Sequence, residues 1–215
     1  MPLPVAHTGI GIACYLSLPQ DQVKKLNTRK KVFLLFMFAC LANIPDMDFI
    51  PGILVGQPDL YHHGPSHSLI VALIVAYITY AMTSRYYYEL ENKRFLVALL
   101  IASTSHTLLD YFSKDTGQPY GVPFLWPFDQ TYYISTASLF SDVERSSEPG
   151  MAFILSLFNS HNLIGIAGEA LFVIMIVSTI FAVRNRYIFL KKSIMWTLVS
   201  ILCAASLVVF AQYTL

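Results

Sequence analysis

Three histidines stand within six residues in Tyr61-His62-His63-Gly64-Pro65-Ser66-His67-Ser68, and a fourth, His106, precedes Asp110 by four positions. An imidazole and a carboxylate four apart on a helix emerge from one face a turn apart, which suits two-point metal ligation. Asn43-Ile44-Pro45-Asp46-Met47-Asp48 adds two carboxylates just past an apolar segment, and His7 lies near the start of another. Taken singly, His106 and Asp110 read equally well as a hydrogen-bonded helix glue, Asp46 and Asp48 as ordinary acidic residues at a helix end, and His7 as a headgroup-facing histidine. The dense cluster from His62 to His67 is harder to explain structurally. Mixed imidazole and carboxylate donors suit Zn²⁺ best, with Mn²⁺ or Fe²⁺ as alternatives, and the donors suffice for two ions. A pair of such ions activates water at neutral pH and stabilises both oxygens of a phosphoryl displacement.

The elements that must position these residues are of membrane type. The chain is 55% hydrophobic and 13% charged, with a mean hydropathy of +0.56, well above the needs of a soluble core. Apolar stretches cover 3–18, 32–44, 69–83, 95–109, 163–183 and 194–213. The last two reach the roughly 20 residues that a crossing helix needs, and the first four are shorter. The expectation is one all-α, polytopic membrane domain over 1–215 with about six membrane helices, or four full spans as a fallback. Residues 1–18 lack a basic leader and a small-residue cleavage site, so they are expected to be retained. Gly64 and Pro65 predict the start of the third helix, which places His67 in its first turn, where free amides could also hold a phosphate oxygen. His106 falls about 18 Å along its helix from Arg94.

Charge fixes the expected orientation. Lys24, Lys25, Arg29, Lys30 and Lys31, then Arg85, Lys93 and Arg94, then Arg184, Arg186, Lys191 and Lys192 fall in three loops; only Lys114 and Arg145 stand elsewhere. Basic loops stay cytoplasmic, so the histidine-bearing ends face the periplasm or cell exterior of a bacterium. All six histidines, His161 included, fall at that end. Cations placed as topology signals argue against nucleic acid as a partner. Cys14, Cys40 and Cys203 are isolated in apolar segments and read as buried small side chains, not as a disulfide framework. His161 and Glu169, eight apart, could line one cleft wall, although a structural hydrogen bond suits Glu169 equally. The segment 111–162 is long for a connector and rich in aromatics, among them Tyr120, Phe124, Trp126 and Phe128, which suggests either a lid over the metals or an interfacial belt.

The motifs together resemble those of the YdjM-like, LexA-regulated inner-membrane proteins, described as metal-dependent hydrolases. Met1 to Gly11 is similar to that family's M-x-x-x-x-x-H-x-x-x-G start, Pro45 to Asp48 to its P-D-x-D, and His62 to Ser68 to its H-R-G-x-T-H-S. Ser105 to Asp110 and Gly121 to Phe128 match its S-H-x-x-L-D and G-x-x-x-L-W-P-F. The resemblance covers about 1–130, the expected metal-site core. His63 departs from it by replacing an Arg, and Ser66 by replacing a Thr. The order of ligand types is more distantly similar to that of the zinc-dependent phospholipase C and single-strand nuclease superfamily. That similarity implies metal ligation by His7, Asp48, His62, His106 and Asp110. Gly165 replaces the acid of the superfamily's further H-x-x-x-E, which favours two metals over three.

The expected activity is metal-dependent hydrolysis of a phosphoester in a lipid or lipid-linked substrate at the outer leaflet. Asp46 is the candidate base or supporting carboxylate, and His63 or His67 would contact substrate phosphate or add a ligand. The chain carries no H-E-x-x-H or G-x-S-x-G. A divalent-metal transporter is the main rival, although its ligands would be expected near the midplane. A metal-stabilised structural or regulatory membrane protein is the third reading.

Overall fold

The computed structural model describes residues 2–57, 60–146 and 150–184. The expected sixth membrane helix at 194–213 and Cys203 lie outside the described residues. Within them the fold is all-helical: α1 (Pro4–Ser17), α2 (Gln20–Val23), α3 (Thr28–Leu41), α4 (Phe49–Leu54), α5 (Leu69–Thr83), α6 (Asn92–Tyr111), α7 (Met151–Ser156) and α8 (Ser160–Arg184), with short 3-10 turns at Pro45–Asp48 and Pro65–His67. Pairing between extended segments is limited, among the described residues, to two isolated bridges in the loop after α6. The helix α7 falls inside the expected 111–162 connector; its six residues are too few to show a helical period.

Helix ends follow local chemistry. Pro4 opens α1, Asn27 caps α3 by accepting from the Lys30 amide at 2.9 Å, and Ser68 caps α5 by accepting from the Ile70 amide at 3.1 Å. The third long helix therefore starts at Leu69. Pro65 opens only the preceding 3-10 turn, because Ser68 is extended and breaks the helical path. For α1 no side chain of its own serves as cap. The Glu169 carboxylate of α8 accepts instead from the amides of Leu3 and, at 2.9 Å, Ala6, so one helix caps another.

The helix α1 packs against α3, α6 and α8, and α5 packs against α6. Close approach depends on small residues: a Cβ at Gly11 would meet the Phe38 backbone carbonyl of α3. Leu34, Phe38, Leu41, Tyr87, Phe95, Leu99 and Ala102 form a buried apolar core. Ser103 ties α6 to α5 by donating to the Ala72 carbonyl at 2.8 Å.

The loops with the basic residues meet at one end. Lys30 donates to the Tyr86 carbonyl and to Glu89 at 2.7 and 2.8 Å, the Glu91 amide donates to Gln22, and Arg184 donates to the Leu16 carbonyl at 3.0 Å. The opposite end carries the histidines. Outward faces of α3, α5, α6 and α8 are apolar, with Phe36, Tyr77, Ile101 and Ile174 all exposed. Cys14 is buried as expected, whereas Cys40 sits on the exposed face of α3, because the helical turn carries it away from Phe38 and Leu41. Among the described residues Ser160–Arg184 is the one helix long and apolar enough to cross a membrane alone. Thr28–Leu41 and Pro45–Leu54 meet that test together, bent by 65°.

Candidate metal centre

Four polypeptide stretches converge at the histidine end. His106, from the last turns of α6, lies 3.3 Å from His67 between their Nε2 atoms. Both rings are fixed from behind. His106 Nδ1 is 2.8 Å from the Ala42 carbonyl, which can only accept, so Nδ1 carries the proton and Nε2 presents its lone pair. His67 Nδ1 faces the Asp48 carboxylate at 3.2 Å, and Ser66 donates to the same carboxylate at 2.8 Å. With each ring protonated only at Nδ1, the two Nε2 lone pairs would face each other, an arrangement that a metal ion between them, or a proton on one ring, would relieve.

Two carboxylates complete the arrangement. Asp46 Oδ1 is 3.4 Å from His106 Nε2 and 3.7 Å from His67 Nε2; Asp110 Oδ2 is 3.2 and 3.5 Å from the same two atoms. Neighbouring ligands on an ion with bonds of about 2.0–2.2 Å stand about 3.0–3.5 Å apart, so the spacing fits the donor set. The second oxygen of Asp110 points elsewhere, 3.5 Å from His7 Nε2, and the His7 ring stacks on His106 with centroids 3.8 Å apart. Asp110 thus faces one imidazole with one oxygen and two with the other.

Burial makes this set costly without a cation. His7, His67 and His106 are wholly inaccessible and Asp110 nearly so. Both nitrogens of His7, both oxygens of Asp110 and Asp46 Oδ1 have no hydrogen-bond partner despite their ion-pair distances, because their atoms converge on common points instead of aligning pairwise. Two buried carboxylates among these imidazoles carry negative charge that a divalent ion, or protons on the rings, would balance. Three groups among the described residues could hold an ion: His7, His106 and Asp110; Asp46, His67 and His106; and His62, His63 and His67. Asp48, expected as a ligand, is in none of them, because its carboxylate faces His62 and the far side of His67, whereas Asp46, expected as a base or supporting carboxylate, stands among the ligand atoms.

The flanking residues form a surround. His62 Nδ1 is 3.0 Å from Asp48 Oδ1 and its ring stacks on Phe49 at 3.7 Å. Burial pushes His62 down; the Asp48 contact opposes this, His63 and His67 add to it, and the result is about 4. His62 is therefore neutral at pH 7. His63 adopts a left-handed backbone, φ 61°, and turns its Nδ1 to Asp115 at 3.3 Å. Burial raises the Asp115 carboxyl, but His63 and the amides of Gly121 and Gly117 outweigh it and hold it below the ordinary value.

The structure brings His7, Asp46, His67, His106 and Asp110 into one cluster and sets Asp48 and His62 at its border, with His63 beyond. Glu169 and His161 do not line a common wall: Glu169 holds the start of α1, and His161 faces Asp142. Asp115 and the Ala42 carbonyl were not singled out by the sequence; a backbone acceptor leaves no trace there, and Asp115 looks like any loop acid. The 112–146 segment is tied down over this end. Phe124 and Trp126 carbonyls accept from Ser68, and the Leu139 amide donates to Phe112.

A family model described as YdjM inner membrane protein matches residues 1–212. The chain belongs to the YdjM family. It covers both the clustered residues and the long apolar helix α8, and an inner-membrane setting accords with the apolar faces described above. No curated protein and no solved structure matches the chain, so the similarity to zinc-dependent phospholipase C gains no support from these comparisons.

Proposed function

We propose that this YdjM-family protein is a metal-dependent hydrolase of the bacterial inner membrane, acting on a phosphoester of a lipid or lipid-linked substrate. The observation that carries the reading is the pair of Nε2 atoms 3.3 Å apart, each fixed from behind and flanked by two buried carboxylates. A purely structural His–Asp network aligns donors with acceptors; here they converge.

Bound divalent ions, zinc by the donor chemistry, would supply an acidified water and a counter-charge for phosphoryl oxygens. His67, His106, Asp46 and Asp110 would hold one ion, and His7 with the other Asp110 oxygen would begin a second site. Asp48 keeps His67 in its ligating tautomer. Asp46 also lines a cavity beside the cluster; with its Oδ1 toward the ion, its other oxygen would be the proton acceptor for water. Water oxygen bonds to phosphorus, the ester P–O bond breaks, and the leaving oxygen takes up a proton.

The apolar outer faces of α3, α5 and α6, and the separation of basic and histidine ends, support a multi-pass topology with the metal centre toward the periplasm. The test is metal analysis together with phosphate-headgroup release from a lipid extract. Protein purified in detergent is expected to hold zinc and turn over; His106→Ala and Asp110→Ala lose both while keeping their helical circular dichroism. Unchanged metal content in those variants overturns the assignment.

A further inference from the structure

Beside the metal cluster opens a cavity of about 280 Å³, bounded by the start of α1, by α4, by α7 and by residues 143–145. Its walls are apolar apart from two groups. They are Asp46, which belongs to the cluster, and Arg145, whose guanidinium lies 5.1 Å over the Phe49 ring. Phe49 in turn stacks on His62. A cation is thereby held at the edge of a carboxylate-rich centre, in a slot otherwise lined by Leu3, Ile53, Phe153 and Leu157.

We propose that this slot is the substrate-binding site, and that it takes an amphiphile with a single apolar chain and a phosphate head, the head lying between Asp46's cluster and Arg145. The inference rests on the hydrolase reading and specifies its substrate class. Three features select that chemistry. The apolar walls gain nothing from a soluble phosphoester but gain from each methylene buried against them. Arg presents a planar fork suited to phosphate oxygens. The slot reaches Asp46, so a head held by Arg145 lies next to the donors that would hold the ions.

The experiment is equilibrium binding of dodecyl phosphate, dodecanol and inorganic phosphate to detergent-purified protein, with and without prior chelation, alongside metal content. Dodecyl phosphate is expected to bind more tightly than either half-molecule. Arg145→Gln weakens it about tenfold or more, Arg145→Lys recovers part of the loss, and Ile53→Trp, which fills the slot, weakens dodecyl phosphate but not inorganic phosphate. Metal content stays normal in all three. Equal binding of dodecyl phosphate by wild type, Arg145→Gln and Ile53→Trp, with metal intact, overturns the slot and leaves the metal centre standing. Absence of metal in the wild type overturns the hydrolase reading, while binding by chelated protein still decides the slot. Preference for inorganic phosphate over dodecyl phosphate rejects the lipid class.

Discussion

At the scale of single residues, the candidate centre depends on atoms outside the groups that could hold an ion. Asp46 and Asp48 lie two apart on a 3-10 turn, hence about 120° apart in direction, so they do not face the same atoms. One carboxylate joins the Nε2 pair and the other reaches behind His67. Asp48→Asn removes the charge that stabilises the His67 Nδ1 proton and disturbs the Ser66 and His62 contacts. Metal affinity is expected to fall about 10–100-fold, against near-complete loss in Asp110→Ala, as measured by competition with a chromophoric chelator. Equal affinity of Asp48→Asn and wild type would show that Asp48 does not hold the His67 tautomer. The motif P-D-x-D makes both acids visible in sequence, and the similarity to metal-dependent hydrolases favours Asp48 as ligand. Only the turn geometry separates their directions.

At the scale of elements, residues 11, 115 and 169 set where the ligands stand. Gly11 lets α1 lie against the α3 backbone, and a rigid carbonyl cannot yield to a methyl group. Gly11→Ala is expected to cost about 1–3 kcal/mol and to lower metal retention by shifting His7, one turn away; thermal unfolding in detergent and metal analysis read the two effects. Asp115 anchors the loop over the site through His63 and two glycine amides. Its folded-state pKa is depressed, so its contribution is present above the unfolded value near 3.9 and fades as pH falls through the lower folded one. Asp115→Asn should therefore increase proteolysis of 112–146 at pH 7, with the difference from wild type shrinking below about pH 4. An equal difference at both pH values counts against this anchoring role. The five long helices were legible because apolar residues dominate their lengths and Pro, Asn or Ser stands at their starts. The loop's course was not, since it is fixed by backbone hydrogen bonds and by Asp115, which follow no periodicity.

At the scale of the whole molecule, enzyme and transporter differ in what lies between the histidine end and the basic end. A transporter needs polar groups continuing inward from its site. Here α3 and α6, running between the two ends, fill that space with Leu34, Phe38, Leu41, Phe95, Leu99 and Ala102, all buried. Among the described residues, moving a divalent ion past these side chains would strip it of most of its donors, at a cost that dispersion contacts do not offset. Vesicles reconstituted with the protein and loaded with a zinc-sensitive dye are accordingly expected to show uptake no faster than protein-free vesicles, while the same preparation binds zinc and releases phosphate head groups. Impermeant thiol reagents should reach a cysteine placed at Tyr120 from the periplasmic side of intact spheroplasts, and one at Lys31 only after lysis. Zinc entry dependent on His106 would require the apolar layer to open, and would favour transport over hydrolysis. Metal entry and the accessibility of those two positions are independent readouts, so a reversed orientation would leave the chemistry of the site intact and move only the leaflet on which it acts.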